Sequence, residues 1–182
     1  PGGIFMPIGM FGPSMPGTWD NKENILSKQF INYWTFVNNE LVVTTETANL
    51  FGASDLRRNF YAPNAFFGDD YPNGMMRRIG PISTSYGVTI PDTYLLLAEC
   101  KARLNDLAGA VTDVETLRKN RMPAPDATVP GSIASDKNKL VKFILEERIR
   151  EFAVQGYRWF DMRRLSVDPD FGSTVNYTHK IY

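Results

Sequence analysis

The chain has 182 residues, enough for one sizeable domain with its own hydrophobic core. Twenty basic residues offset twenty acidic ones, so total charge gives no reason to expect nucleic acid or another polyanion as a partner. No stretch approaches the ~20 apolar residues of a membrane-spanning helix, and the 43% hydrophobic content is that of a globular protein.

Residues 1–18 interleave Gly and Pro with Met and Phe, which disfavours regular structure there. From Asn24 to Thr45, β-branched and aromatic residues (Ile25, Ile31, Tyr33, Trp34, Val42, Val43) predict extended segments or a strand-like pair. Residues 52–90 carry turn chemistry throughout: Pro63-Asn64, Gly68-Asp69-Asp70, Pro72-Asn73-Gly74 and Gly80-Pro81. A loop of that length in a compact domain is expected to be functional or incompletely ordered.

Beyond Pro91 the pattern becomes helical. Pro91 or Asp92 opens a helix with Tyr94, Leu97, Ala98 and Lys101 on one face. Asn105 fits a left-handed end. Asp106 caps a second helix bearing Ala110, Val111, Val114 and Leu117, which must stop before Pro123. The spacing of the two helices follows the tetratricopeptide template, in which small residues let antiparallel helices pack closely. One such unit cannot stand alone, so the Asp136–Gln155 helix is expected to stack on it. Cys100, the single cysteine, falls inside this pattern; it cannot form an intramolecular disulfide and is expected to be a small buried thiol.

Met122–Ser135 reads as a Pro/Gly/Ala/Ser linker. Ser135 or Asp136 then caps a helix with Leu140, Phe143, Ile144, Glu147 and Glu151 at helical spacing. Gly156 fits the position just past its end. Tyr157–Leu165 makes a last helical turn, and Pro169 to Tyr182 reads as tail. Two large aromatics, Trp159 and Phe160, among five arginines (Arg148, Arg150, Arg158, Arg163, Arg164) predict a half-buried corner with ion pairs laid over an aromatic floor, Trp159 in the core.

Glu147-Arg148, Glu151, Gly156, Arg158, Phe160-Asp161 and Arg163 resemble the "ER…E…G.R.fD..R" signature of the SusD/RagB family. Val88 to Arg121 is similar to that family's "P..YL..AE…lR..R" helical hairpin, and Asp55-Leu56-Arg57-Arg58 resembles its "D.R" element. The resemblance implies a mainly α fold: a SusD-like assembly with a tetratricopeptide-type hairpin, long irregular loops and minor β. Residues 1–90 would be a loop-rich insert region, 91–165 the hairpin and signature helix, and 166–182 a tail, all as an internal portion of a longer protein. It further implies an outer-membrane, surface-exposed lipoprotein of Bacteroidota, anchored by lipid outside this chain. Such a protein captures an oligosaccharide and delivers it to a SusC-like TonB-dependent transporter. The alternatives are capture of a peptide or other nutrient by the same scaffold and, from a different class, a glycan-active hydrolase.

Glu146, Glu147, Glu151 and Asp161 are the carboxylates a hydrolase would need. The arginines around them argue instead for ion pairs, with Arg150 or Arg158 on Glu147 and Glu151, and with Glu151 and Asp161 pinning the Gly156 corner. Arginine keeps a carboxylate ionised, which is unsuited to a general acid. No catalytic group and no cofactor is expected. His179, the one histidine, has no companion ligand in sequence, and Asp69-Asp70 with Asn73 lacks EF-hand spacing, so no metal is expected either. The residues suited to ligand contact are aromatics in loop-like sequence (Phe11, Trp19, Tyr61, Phe66, Phe67, Tyr71, Tyr86), because sugar rings present apolar faces to flat side chains. Trp19, beside Asp20 and Asn21, leads; Phe66, Phe67 and Tyr71 follow, with Asp70 and Asn73 able to bond sugar hydroxyls.

Overall fold

A computed structural model of the protein describes residues 8–9, 12–13, 22–31, 41–65, 68–79 and 83–175. The chain is mainly α-helical with minor β. In chain order, β1 (Ile8–Gly9) pairs antiparallel with β2 (Gly12–Pro13), a short hairpin where the Gly/Pro content predicted none. Next, β3 (Asn24–Ile31) pairs antiparallel with β7 (Ser83–Thr89), from Asn24↔Thr89 to Ile31↔Ser83 with a bulge after Asn24. The segment around Val42 and Val43 is extended as expected but lies in a different sheet, so it does not pair with β3. It forms β4 (Val42–Val43), which joins β6 (Met76–Arg78) and β5 (Tyr61–Ala62) in a small sheet of order β4-β6-β5. The stretch read as one loop thus supplies three strands and two 3₁₀ turns, Leu56–Phe60 and Pro72–Gly74. A short helix, α1 (Thr45–Asn49), follows β4.

The helical half begins where β7 ends. Thr89 caps α2 (Ile90–Arg103) by accepting from the Asp92 N–H, and Pro91 sits in the first turn, where its missing donor costs nothing. Asn105 takes φ 69°, the left-handed turn that reverses the chain. Asp106 then caps α3 (Leu107–Arg118) by accepting from Gly109 N–H at 3.0 Å. A β-carbon at Gly109 would require that capping carboxylate to shift. The hairpin packs against α6 (Lys137–Glu151) mainly through α2, as the repeat template requires. Ala98, Ala102 and Ala110 are fully buried between the helices, with Leu95, Val114, Leu140 and Ile144 around them. The inward face of α2 is Pro91, Leu95, Ala98, Glu99 and Ala102, rotated from the predicted one. Leu97 is exposed, and so is Cys100, which is not the buried thiol expected.

Two further differences concern segments judged irregular. The linker holds short helices α4 (Ala124–Ala127) and α5 (Gly131–Ala134), with Ala127 and Val129 buried. After α7 (Tyr157–Leu165), the turn Gly172–Val175 places Phe171 and Val175 in the helical core. Apolar residues as sparse as these give no periodicity to read. A second, smaller core of Val43, Phe51, Phe60, Tyr61 and Ala153 lies under the three-stranded sheet. Among the described residues no helix is long and apolar enough to cross a membrane.

Candidate functional site

The signature residues divide by burial. Glu147 lies on the inward face of α6 and is fully buried. It accepts from Arg57 Nη2 at 2.7 Å, Arg118 Nη1 at 2.6 Å, and Arg150 Nε and Nη2 at 3.0 and 2.7 Å. Burial alone would push its carboxyl up, but Arg57, Arg150 and Arg118 outweigh it and hold the group down at about 2. One turn further, Glu151 accepts from Arg121 Nε and Nη2 and from Arg57 Nη1. Burial works against ionisation there too, and Arg121 and Arg57 win, so its carboxyl titrates below the ordinary range. Arg57 itself is held by Asp55 through Nε and Nη2 at 2.9 and 2.7 Å. The network therefore ties the 3₁₀ turn before β5, the end of α3 and the body of α6 into one unit. Arg121, 2% exposed, extends it to Glu23 beside β3, whose carboxyl is raised by burial despite that arginine.

A second set fastens α7. Arg148 Nε donates to both oxygens of Asp161 at 3.2 and 3.0 Å, and its Nη1 reaches Asp92 at the start of α2. Arg164 donates to Asp161 and, through both terminal nitrogens at 2.7 Å, to Glu99. Asp161 thus pins the corner as predicted, whereas Glu151 pins the hairpin end and the 3₁₀ turn instead. Arg158 pairs with neither glutamate; among the described residues it makes only a 3.5 Å contact to the Thr174 carbonyl.

The corner also departs from expectation. α6 stops at Glu151, and Gly156 (φ 84°) is the residue before α7 rather than the one after α6. Val154 takes φ 55°, a strained value for a β-branched residue. Arg78 holds the turn by donating to the Ala153 carbonyl at 2.9 Å, and Phe152 stacks on Tyr157 at 4.2 Å between centroids. The aromatic floor is made by other rings than expected: Arg148 lies over Phe152 at 5.5 Å, and Arg118 and Arg150 lie over Phe143 at 5.0 and 5.6 Å, whereas Trp159 is 57% and Phe160 68% exposed. Tyr157 and Phe152, the neighbours that alternate with them, took the inner positions.

Of the residues suited to ligand contact, Trp19, Phe66, Phe67 and Phe11 lie outside the described residues, as does His179. Tyr61 is in β5, buried against Phe51 at 5.4 Å between rings, and Tyr86 lies within β7, so neither is a loop aromatic. Asp70, Tyr71 and Asn73 do share one turn. Asn64 and Asp70 form a β-bridge, and Tyr71 N–H donates to the Pro63 carbonyl at 2.7 Å. Asn73 adopts φ 58°, and its carbonyl accepts from Thr45 Oγ1 at 2.6 Å. Asp69, Asp70 and Asn73 are exposed, and Tyr71 is half-buried with its hydroxyl enclosed and without a partner among the described residues. The turn can offer carboxylates and an amide beside one ring edge. No group of three or more His, Cys, Asp or Glu among the described residues is placed to hold a metal ion.

A helical hairpin, a third helix stacked on it and an arginine-clamped corner define a helical-repeat protein with loop inserts. The SusD family model matches residues 90–181, about half the chain, and the chain belongs to that family. It is also 33% identical over 88 residues to SusD-like protein P38 of Formosa agariphila. That stretch is 47% of this chain and 18% of the relative, so the chain spans a small part of the relative's length.

Proposed function

We propose that the protein captures an oligosaccharide at the cell surface without cleaving it. The bound sugar passes to a SusC-like TonB-dependent transporter in the outer membrane, beside which a lipid-anchored whole protein would sit. The observation that carries this reading is the fate of the signature carboxylates. Glu147, Glu151 and Asp161 are each engaged by two or more arginines and turned inward, and arginine holds the Glu147 and Glu151 carboxyls below the ordinary range, so neither has a proton to give a leaving group. Family membership supports sugar or nutrient binding as the class of activity. The turn bearing Asp70, Tyr71 and Asn73 is our candidate contact within the described residues, and Trp19, Phe66 and Phe67 are further candidates from sequence alone. Incubation with a panel of polysaccharides tests it. Binding without new reducing ends is expected; release of reducing ends that disappears in Glu146→Gln would overturn it.

A further inference from the structure

Eight arginines belong to the helical half, and six of them (Arg103, Arg118, Arg121, Arg148, Arg150, Arg164) meet carboxylates. Arg163 meets none among the described residues and points away from the core with Trp159 and Phe160. The three lie at i, i+1 and i+4 of α7, so Arg163 is one turn from both rings on the exposed face, with β-carbons about 5–6 Å apart. The helix beneath is fixed: Asp161 is clamped by Arg148 and Arg164, and Leu165 is in the core.

We infer that Trp159, Phe160 and Arg163 form a docking platform for a carboxylated sugar, a uronate unit of an oligosaccharide. The inference rests on the sugar-capture reading and adds the class of sugar and a second place of contact. A pyranose ring has an apolar face of the size of an indole, and aromatic side chains take such faces flat. A uronate carries its carboxylate at the ring edge. With the ring on Trp159, that edge lies one helical turn away, where a guanidinium fork can take both oxygens. The footprint also favours a sugar over a protein. Two rings offer at most about 500 Å², well below the ~1,000 Å² a specific protein interface needs.

The test is calorimetric titration of the full chain at low salt. The ligands are oligogalacturonate and oligomannuronate, their neutral counterparts of equal length, and a sulfated galactose oligomer. Uronate oligomers are expected to bind more tightly than neutral ones. Trp159→Ala and Arg163→Gln should each weaken that binding about tenfold, with Arg163→Lys in between. Raising salt should erode parent binding but leave the Arg163→Gln variant unchanged. Melting curves confirm folding of each variant, which the exposure of both side chains favours. Sugar binding that survives both substitutions overturns the platform and leaves sugar capture standing. Preference for neutral or only sulfated oligomers overturns the carboxylate assignment. No binding to any oligosaccharide overturns the capture reading, and the platform with it.

Discussion

In the helical half, Glu147 is buried and takes four hydrogen bonds from three arginines; in the turn after β5, Asp69 and Asp70 stand in solvent with no ion pair among the described residues. Both regions carry carboxylates, and they use them in opposite ways. A buried carboxylate must be paired, because removing it from water costs several kcal/mol that only close arginines return. Such pairs fix geometry and leave nothing free for a ligand. An exposed carboxylate beside a half-buried ring keeps its hydrogen-bonding capacity for whatever arrives. Burial, more than residue type, separates scaffold from candidate contact.

The comparison breaks most visibly at Glu147. Glu147→Gln should cost about 3–5 kcal/mol in chemical denaturation, because three arginines lose their counter-charge at a site without water. An unchanged midpoint would mean the network is not what holds the helices. Packing comes next. Ala98→Phe or Ala110→Phe should overpack the hairpin by about 1–3 kcal/mol or prevent folding, read from soluble yield and melting temperature. In the turn, Tyr71→Ala should weaken sugar binding by about 1 kcal/mol in calorimetric titration, with Phe51→Ala as a buried control that loses stability instead. Smallest of all is Arg158→Ala. With one long backbone contact, its loss should stay within about 0.5 kcal/mol by thermal denaturation, in contrast to Asp161→Ala.

The helical half was legible because its signals are local and repeated. Asp106 and Asp136 cap the helices they precede, Asn105 turns left-handed, and Leu140, Ile144 and Glu147 share a face. The ion pairs were legible as a class but less so as partners. Glu147 with Arg150 follows from i, i+3 spacing, whereas Arg57 and Arg118 reach it from 90 and 29 residues away. The Asp55-to-Arg57 spacing was the available sign of Arg57, since the aspartate orients the guanidinium. Long-range pairing also explains why the partner of β3 was not legible, because register with β7 depends on closure of the intervening segments. Trp159 was misplaced for a different reason. Size and apolarity argue for burial, but α7 turns Asp161 and Leu165 inward, and the helical period then puts Trp159 outside. The linker and tail hid buried residues because a few apolar side chains in irregular backbone leave no period.

The central claim is that Glu147 and Glu151 are ionised fastenings rather than acids. In the folded protein the Glu147 carboxyl lies below its ordinary 4.5, so the unfolded chain binds the proton more readily. Its stabilising contribution is complete above about pH 4.5 and is lost as pH falls through about 2; that gap corresponds to roughly 3 kcal/mol. Glu23 acts in the opposite sense. Burial raises its carboxyl, so its contribution favours folding below the ordinary value and is lost as pH rises through the folded one. The direct measurement is a carbon-13 NMR pH titration of the glutamate carboxyl groups in the folded protein. The account predicts that Glu147 stays ionised far below its ordinary 4.5, down to about pH 2. A Glu147 midpoint at or above 4.5 would contradict it and restore the signature helix as a source of acid chemistry.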